Sequence, residues 1–375
     1  MASRSDKMPP RLLVVVDSAA AYSTSVVAGY DYQELFRHSG WDLTILDCRS
    51  VGSATVLAHA KVSDLVYLLK VPDLKLIRRL RRESPAKLIF YLSDALWMPL
   101  HRDAGWSDLD LMIAEVDAIF TDNRHGADYG RLAGKSVFIN SVGVKLPERI
   151  SRPDRDAVSL GWIGSESTRS SVERITPALL SLLGRHQQLE LRLVGVSPSS
   201  LPSLRHDRIH FVPVYDHAQM VTELGFIDIG LFPMPFDQDD YGVRGLRKTY
   251  LYMLGGCATV SSHADIPAVT EILTARAGLT AQADEWETEL ERLITDADFR
   301  GELASRGQAF ARQRYSLDAS FRHLEASLLA VHALPQRSLP GRQNLRLELP
   351  WIDFKSCYWR WRDRLRDFVK SIKPR

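Results

Sequence analysis

The sequence predicts an α/β protein of two domains, each a doubly wound and mostly parallel sheet. Three observations carry this expectation. Short apolar runs alternate with helix-like segments along most of the chain, the pattern of strands buried on both faces. The alternation breaks once, at 147–157, where Pro147 and Pro153 stand among Glu148, Arg149, Arg152, Asp154, Arg155 and Asp156. That is linker composition. And the 375 residues exceed the roughly 250–300 at which single cores stop growing.

In order, Arg11–Asp17 reads as the first buried strand, and a helical pattern through Tyr32–Phe36 stops at Gly40. Trp41–Leu46 is the second strand. Asp64–Leu69 is the third, followed by a helix over Asp73–Arg82. Lys87–Leu92, Asp117–Thr121 and Ser136–Asn140 are the fourth to sixth. Alternation with helices implies parallel pairing through right-handed crossovers. Beyond the linker, strands are expected at Val158–Ile163, Leu189–Val194, Ile209–Val212, Ile227–Leu231 and Ala258–Ser261. Helices are expected at Thr176–Leu183, Arg247–Leu254, Glu285–Thr295 and Asp318–His332. The expected organisation is a first domain over 1–146, the linker, a second domain over 158–332, and a tail from 333 to 375.

Composition is that of a globular protein, 45% hydrophobic and 25% charged, which excludes a collagen, a disordered chain and a disulfide-stapled miniprotein. The net charge of +2 is a cancellation. Residues 336–375 hold eleven basic and four acidic residues, +7, leaving 37 basic and 42 acidic elsewhere, −5. An acidic body argues against nucleic acid as the main partner. Cys48, Cys257 and Cys357 are far apart and lack metal-ligand spacing, which fits a reducing cytoplasm. No run approaches the roughly 20 apolar residues that span a bilayer, so any membrane contact is expected to be peripheral.

In open α/β sheets ligands bind beyond the carboxyl ends of the strands. Ser18, Asp94, Asn123 and His125 stand at such ends in the first half, and Gly164 and Ser165 in the second. Small residues at a strand-to-helix turn admit a phosphate, and Arg169 follows within reach. A plain turn with a solvated arginine is the alternative, as a helix cap is for Asp94. The stretch Asp239–Thr249 brings Arg244, Arg247 and Lys248 to the start of a helix, with Thr249 next in sequence. Clustered cations oppose a helix dipole unless an anion lies there. Asp239 and Asp240 would offset the local arginines, with a metal site as the other use of two adjacent acids.

Several of these segments resemble the GT-B glycosyltransferases, in particular their large retaining nucleotide-sugar family. The resemblance rests on Gly161-Trp-Ile-Gly-Ser165 followed by Leu191-Arg-Leu-Val-Gly195, on Asp228-Ile-Gly-Leu-Phe-Pro233, on Lys248-Thr-Tyr-Leu-Tyr-Met-Leu-Gly-Gly256, on Thr259-Val-Ser-Ser262 and on Val137–Val144. It spans about 10–332. It implies two Rossmann-like domains facing across a cleft, with the sugar donor on the second and the acceptor on the first. It also implies a front-face retaining transfer without a metal or other cofactor. Asp94, Lys248 and Arg244 would then be catalytic. Gly164, Ser165, Arg169, Arg247 and Thr249 would hold the donor; Ser18, Asn123 and His125 would face the acceptor. Two glutamates common in the family are replaced here by Val243 and Leu251, and the glycine loop after the first strand by Ser18–Tyr22.

From Trp351 the apolar residues Phe354, Tyr358, Trp361, Leu365, Phe368 and Ile372 are spaced 3 and 4 apart, an amphipathic stripe beside a face of seven cations. Such a C-terminal helix suits an anionic membrane, each cation contributing about 1 kcal/mol. Packing on the first domain and a dimer seam are the other uses of the same stripe. The overall expectation is a cytoplasmic, membrane-peripheral enzyme. It would move a sugar from a nucleotide diphosphate to a glycan or lipid-linked acceptor in polysaccharide or glycolipid synthesis. A non-catalytic glycosyltransferase-like subunit and a nucleotide-sugar epimerase are the alternatives.

Overall fold

In the computed structural model, residues 10–17, 24–98, 105–234 and 246–335 are described. Ser18, Asp239, Asp240, Val243, Arg244, Cys357 and the basic tail lie outside them. The chain divides into two compact units. One holds the residues up to Asn140 and those from His323 onward, the other Ser141–Arg322. The last helix therefore passes from the second unit into the first, whereas the sequence pattern placed it wholly in the second. The stretch 147–157, expected as a linker, carries neither helix nor strand and belongs to the second unit.

The first unit is built on β1 (Arg11–Val16), β2 (Asp42–Asp47), β3 (Leu65–Leu69), β4 (Lys87–Leu92), β5 (Ala118–Thr121) and β6 (Ser136–Ile139). Its helices are α1 (Thr24–Ala28), α2 (Gln33–His38), α3 (Cys48–Ala60), α4 (Leu74–Glu83), α5 (Leu109–Glu115) and α6 (Arg124–Leu132). All pairings are parallel, in the order β2-β1-β3-β4-β5-β6. The continuous apolar runs are explained by burial on both faces, since every residue of β3 is buried.

The second unit repeats the plan with β7 (Val158–Ile163), β8 (Leu189–Val194), β9 (Ile209–Val212), β10 (Ile229–Phe232), β11 (Ala258–Ser262) and β12 (Leu279–Ala281). These are parallel in the order β12-β11-β10-β7-β8-β9. Its helices are α7 (Arg169–Glu173), α8 (Thr176–Arg185), α9 (His217–Gly225), α10 (Arg247–Leu254), α11 (Pro267–Thr274), α12 (Trp286–Thr295) and α13 (Ala297–Arg314). The helix shared by both units is α14 (Leu317–Ala333). In the first unit its end is held by Lys87, whose ammonium donates to the carbonyls of His332 and Leu334. A cation at a helix carboxyl end is favoured by the dipole.

Three aspartates do the same structural work at the amino edges of the sheets. Asp64, Asp117 and Asp228 each directly precede a strand and accept the backbone N–H of a neighbouring one, from Arg11, Leu88 and Ser159 at 2.8–2.9 Å. Each is also paired with an arginine: Arg11, Arg81 and Arg155 respectively. The basic face of α4 is likewise largely engaged, Arg78 with Glu115, Arg79 with Glu83 and Arg81 with Asp117. No helix of the described residues is long and apolar enough to cross a membrane.

Candidate functional site

The strand orders locate where each unit can bind a ligand. In the second unit β7, β8 and β9 proceed outward in one direction, and the chain then returns to place β10 on the other side of β7. The loops leaving β7 and β10 diverge, and their carboxyl ends flank a switch point. Gly164 and Ser165 follow β7. The segment after β10 leads into α10, whose first turn is Arg247, Lys248 and Thr249.

The structure brings these two groups together. The Lys248 ammonium lies 5.4 Å from the centre of the Trp162 ring, within cation–π range. Trp162 is buried and packs against Gly164, where an added Cβ would stand 2.0 Å from the ring. The Ile163 N–H donates to the Tyr252 hydroxyl at 2.7 Å, fixing α10 to the end of β7. That hydroxyl is buried, and burial pushes its pKa far upward, so it stays a neutral hydrogen-bonding group. The Tyr215 hydroxyl donates to the Gly164 carbonyl at 3.1 Å. Burial raises the Tyr215 pKa, with the charge of Arg247 acting against it, which places Arg247 in the same neighbourhood.

The start of α10 has the properties of an anion site. Leu246 in the cap position makes no side-chain hydrogen bond, no acid stands in the first turn, and two cations do. Thr249 is fully buried, and among the described residues its hydroxyl has no hydrogen-bond partner. The positive end of the helix dipole, two cations and an unspent hydroxyl thus coincide.

The turn after β7 is more self-contained. Gly164 N–H donates to the Val194 carbonyl, and Ser165 N–H to the Thr168 hydroxyl at 3.2 Å. Arg169 is half exposed, 3.9 Å from both Glu166 and Glu173. This turn supplies space and shape, while the first turn of α10 supplies two cations. Leu251, at the position of a family glutamate, is buried in apolar surroundings. Among the described residues no cluster of three or more His, Cys, Asp or Glu could hold a metal ion.

In the first unit the corresponding carboxyl edge carries a polar cluster at the ends of three adjacent strands. Asp94, after β4, pairs with Lys70, after β3. Lys70, Asp94 and Ala95 all adopt left-handed backbone angles, φ 52°, 55° and 54°. Three non-glycine residues held so at one edge store strain, a frequent property of functional loops. Asp94 opens a turn and caps no helix. After β5, Asp122 is half-buried, and burial raises its carboxyl pKa against the opposing Asn123 hydrogen bond and Lys70 charge. Asn123 caps α6, its side-chain oxygen accepting the Gly126 N–H at 2.8 Å. His125 is exposed one turn away. Lys70, Asp122 and Tyr215 were not singled out by the sequence pattern. Lys70 has the same strand-end position as Asp94 and was legible by that rule, whereas Tyr215 reaches Gly164 only through tertiary packing.

The sign of the Asp122 shift gives a pH test. A carboxyl raised in the folded state costs stability once pH exceeds its folded pKa, and the cost vanishes below the unfolded value of about 3.9. Asp122→Asn is therefore expected to raise the Tm at pH 8 and leave it unchanged below pH 4. A gain independent of pH would show that charge burial is not its origin.

No family model matches the sequence, and no curated protein does. Solved structures do. Anabaena HepE in complex with UDP-glucose superposes with a TM-score of 0.62 at 14% identity, over 85% of this chain and 99% of that one. An alpha-glucosyltransferase in complex with UDP and a 13-mer DNA gives 0.61 at 12%, over 86% and 99%. A trehalose-6-phosphate protein from E. coli bound with UDP-2-fluoro glucose gives 0.59 at 10%, over 88% and 100%. These likenesses establish the fold as GT-B, two Rossmann-like domains, across nearly all of the described chain.

Proposed function

We propose that this protein is a glycosyltransferase that moves a hexose from a nucleoside-diphosphate sugar to an acceptor hydroxyl, with the donor held on the second unit. The observation that carries the reading is the start of α10: two cations, no acid and a buried unspent threonine hydroxyl beside the β7–β10 switch point. That arrangement suits the diphosphate of a leaving nucleotide. Lys248 would stabilise the charge that develops on the diphosphate as the glycosidic bond breaks. Arg247 and Thr249 would hold it, with Arg244 contributing from the preceding segment. Gly164 and Ser165 would leave room for the phosphates, and Arg169 would border them.

UDP is the first nucleotide to test, because the three structural neighbours named above are complexes of UDP or UDP-sugars. Retention of anomeric configuration is our expectation, by front-face transfer in which the leaving phosphate accepts the acceptor proton. On the first unit Asp94 would orient a sugar hydroxyl, with Ser18, Asn123 and His125 bordering the acceptor. Thermal shift against a panel of nucleotide sugars, followed by product analysis with and without acceptor, tests the reading. No stabilisation by any nucleoside diphosphate would overturn it in favour of a non-catalytic subunit. A new nucleotide sugar formed without acceptor would point to epimerisation.

The basic tail supports a glycan or lipid-linked acceptor of polysaccharide or glycolipid synthesis, met at an anionic membrane surface. Deleting 350–375 is expected to abolish co-sedimentation with phosphatidylserine-containing vesicles while preserving nucleotide binding. Unchanged sedimentation would assign the tail to packing or self-association.

A further inference from the structure

The second unit carries a cavity at the edge opposite the α10 amino terminus, and nothing in the proposed transfer uses it. Its volume is about 370 Å³, within the range of small-molecule sites. It is formed by the linker stretch around Glu148–Arg152, by the carboxyl end of α10 at Leu254–Gly256 and by one face of α13. Its charge is lopsided: Arg149, Arg152 and Arg312 line it, and Glu148 is the sole acid among its lining residues.

The three guanidinium groups are not equivalent. Arg152 is committed to the fold, donating to the Ile227 carbonyl at 3.0 Å and the Gly255 carbonyl at 2.7 Å. Arg149 and Arg312 are exposed, and among the described residues neither guanidinium has a hydrogen bond or ion pair. Other arginines of this unit are matched with acids, Arg155 with Asp228, Arg185 with Glu287 and Arg192 with Glu223. Two guanidinium groups without such a match thus line one and the same cavity. Gly256 keeps the cavity open. It is left-handed at φ 73°, and a Cβ there would meet Gln308 at 3.2 Å and Arg152 at 3.7 Å.

We propose that this cavity is a second anion site, taking a small phosphorylated molecule between Arg149 and Arg312. Planar guanidinium forks match phosphate oxygens in pairs, and the surplus positive charge raises the local concentration of such an anion. The site is separate from the donor site. Lys248 stands at one end of α10 and Gly255 just beyond the other, and an eight-residue helix is about 12 Å long. An anion bound there touches the linker stretch, α10 and α13 together, so its occupancy reports on three elements at once.

The test uses the full chain and inorganic pyrophosphate as probe, titrated at constant ionic strength. A Lys248→Ala background weakens the donor site, so that residual binding reports on the cavity. In that background pyrophosphate is expected still to raise the Tm. Adding Arg149→Ser with Arg312→Ser is expected to raise the apparent Kd at least tenfold. Both arginines are exposed, so their replacement leaves the fold intact, and the unliganded Tm checks this. Arg82→Ser, on an exposed helix of the other unit, serves as the control for general charge and leaves the Kd unchanged. No pyrophosphate effect in the Lys248→Ala protein, or an effect untouched by the paired arginine replacements, overturns the proposal. So does an equal loss with Arg82→Ser. Failure of the glycosyltransferase reading would appear separately, as absence of nucleotide binding in the unmodified protein.

Discussion

Lys248→Ala is expected to lower kcat/KM about 10²–10³-fold with a nucleoside-diphosphate donor, the usual cost of removing one group that meets developing charge. The expected effect falls mainly on kcat, because the diphosphate charge grows as the sugar departs. The folded state is expected to tolerate the change. Lys248 is a cation at a helix amino end, where it opposes the dipole, and its cation–π contact with Trp162 is worth about 0.5–1 kcal/mol. The two contributions nearly offset, so the Tm moves little. Steady-state kinetics beside a thermal melt separate the cases. A large fall in Tm with a proportionate loss of activity would make Lys248 structural, and unchanged kinetics would remove it from the reaction.

Gly195→Ala is expected to produce the largest loss of stability of any small substitution at the site. Gly195 ends β8 with φ 93°, where an L-residue is strained by about 1–3 kcal/mol. Its added Cβ would stand 2.1 Å from the Gly164 carbonyl oxygen, a backbone atom held by Tyr215. Relieving that contact costs about 1–3 kcal/mol more, as overpacking does. Chemical denaturation is expected to show a loss of roughly 3 kcal/mol or more. Movement of Gly164 would also disturb Trp162 beneath Lys248, so nucleotide affinity falls with stability. Gly184→Ala is the control. It lies in α8 with open space around it, and is expected to stabilise by about 0.5–1 kcal/mol. A loss at Gly195 no greater than at exposed sites would refute the close packing of these two strand ends.

Much of the fold was legible because its strands are buried on both faces. The segments at 11–16, 87–92 and 158–163 are buried along almost their whole length, as strands of a covered parallel sheet are. Other elements were not legible. β12 is a three-residue edge strand, Leu279–Ala281, that exists through its pairing with β11. α3 is interrupted by Gly52 at φ 75°, which breaks its period. α13 buries Leu303, Gly307 and Ala311, so its inward stripe is mostly small residues that a hydrophobicity pattern does not register. Gly307 lies there because a Cβ would stand 2.7 Å from the Ala277 carbonyl.

At the site the same division holds. By itself the sequence determined two parallel α/β units and which residues stand at strand ends and helix starts. Period and position are properties of the chain, and they place Gly164 and Asp94 just past strand ends and Lys248 at a helix start. Tertiary structure alone decided how those residues are spent. Asn123 caps a helix, Arg169 lies among acids, Asp94 is paired with Lys70, and Thr249 is buried without a partner among the described residues. Hydrogen-bond satisfaction depends on neighbours distant in sequence, such as Tyr252 on Ile163 and Tyr215 on Gly164. No local pattern encodes that, and so only the folded chain distinguishes a committed polar group from one still available to a ligand.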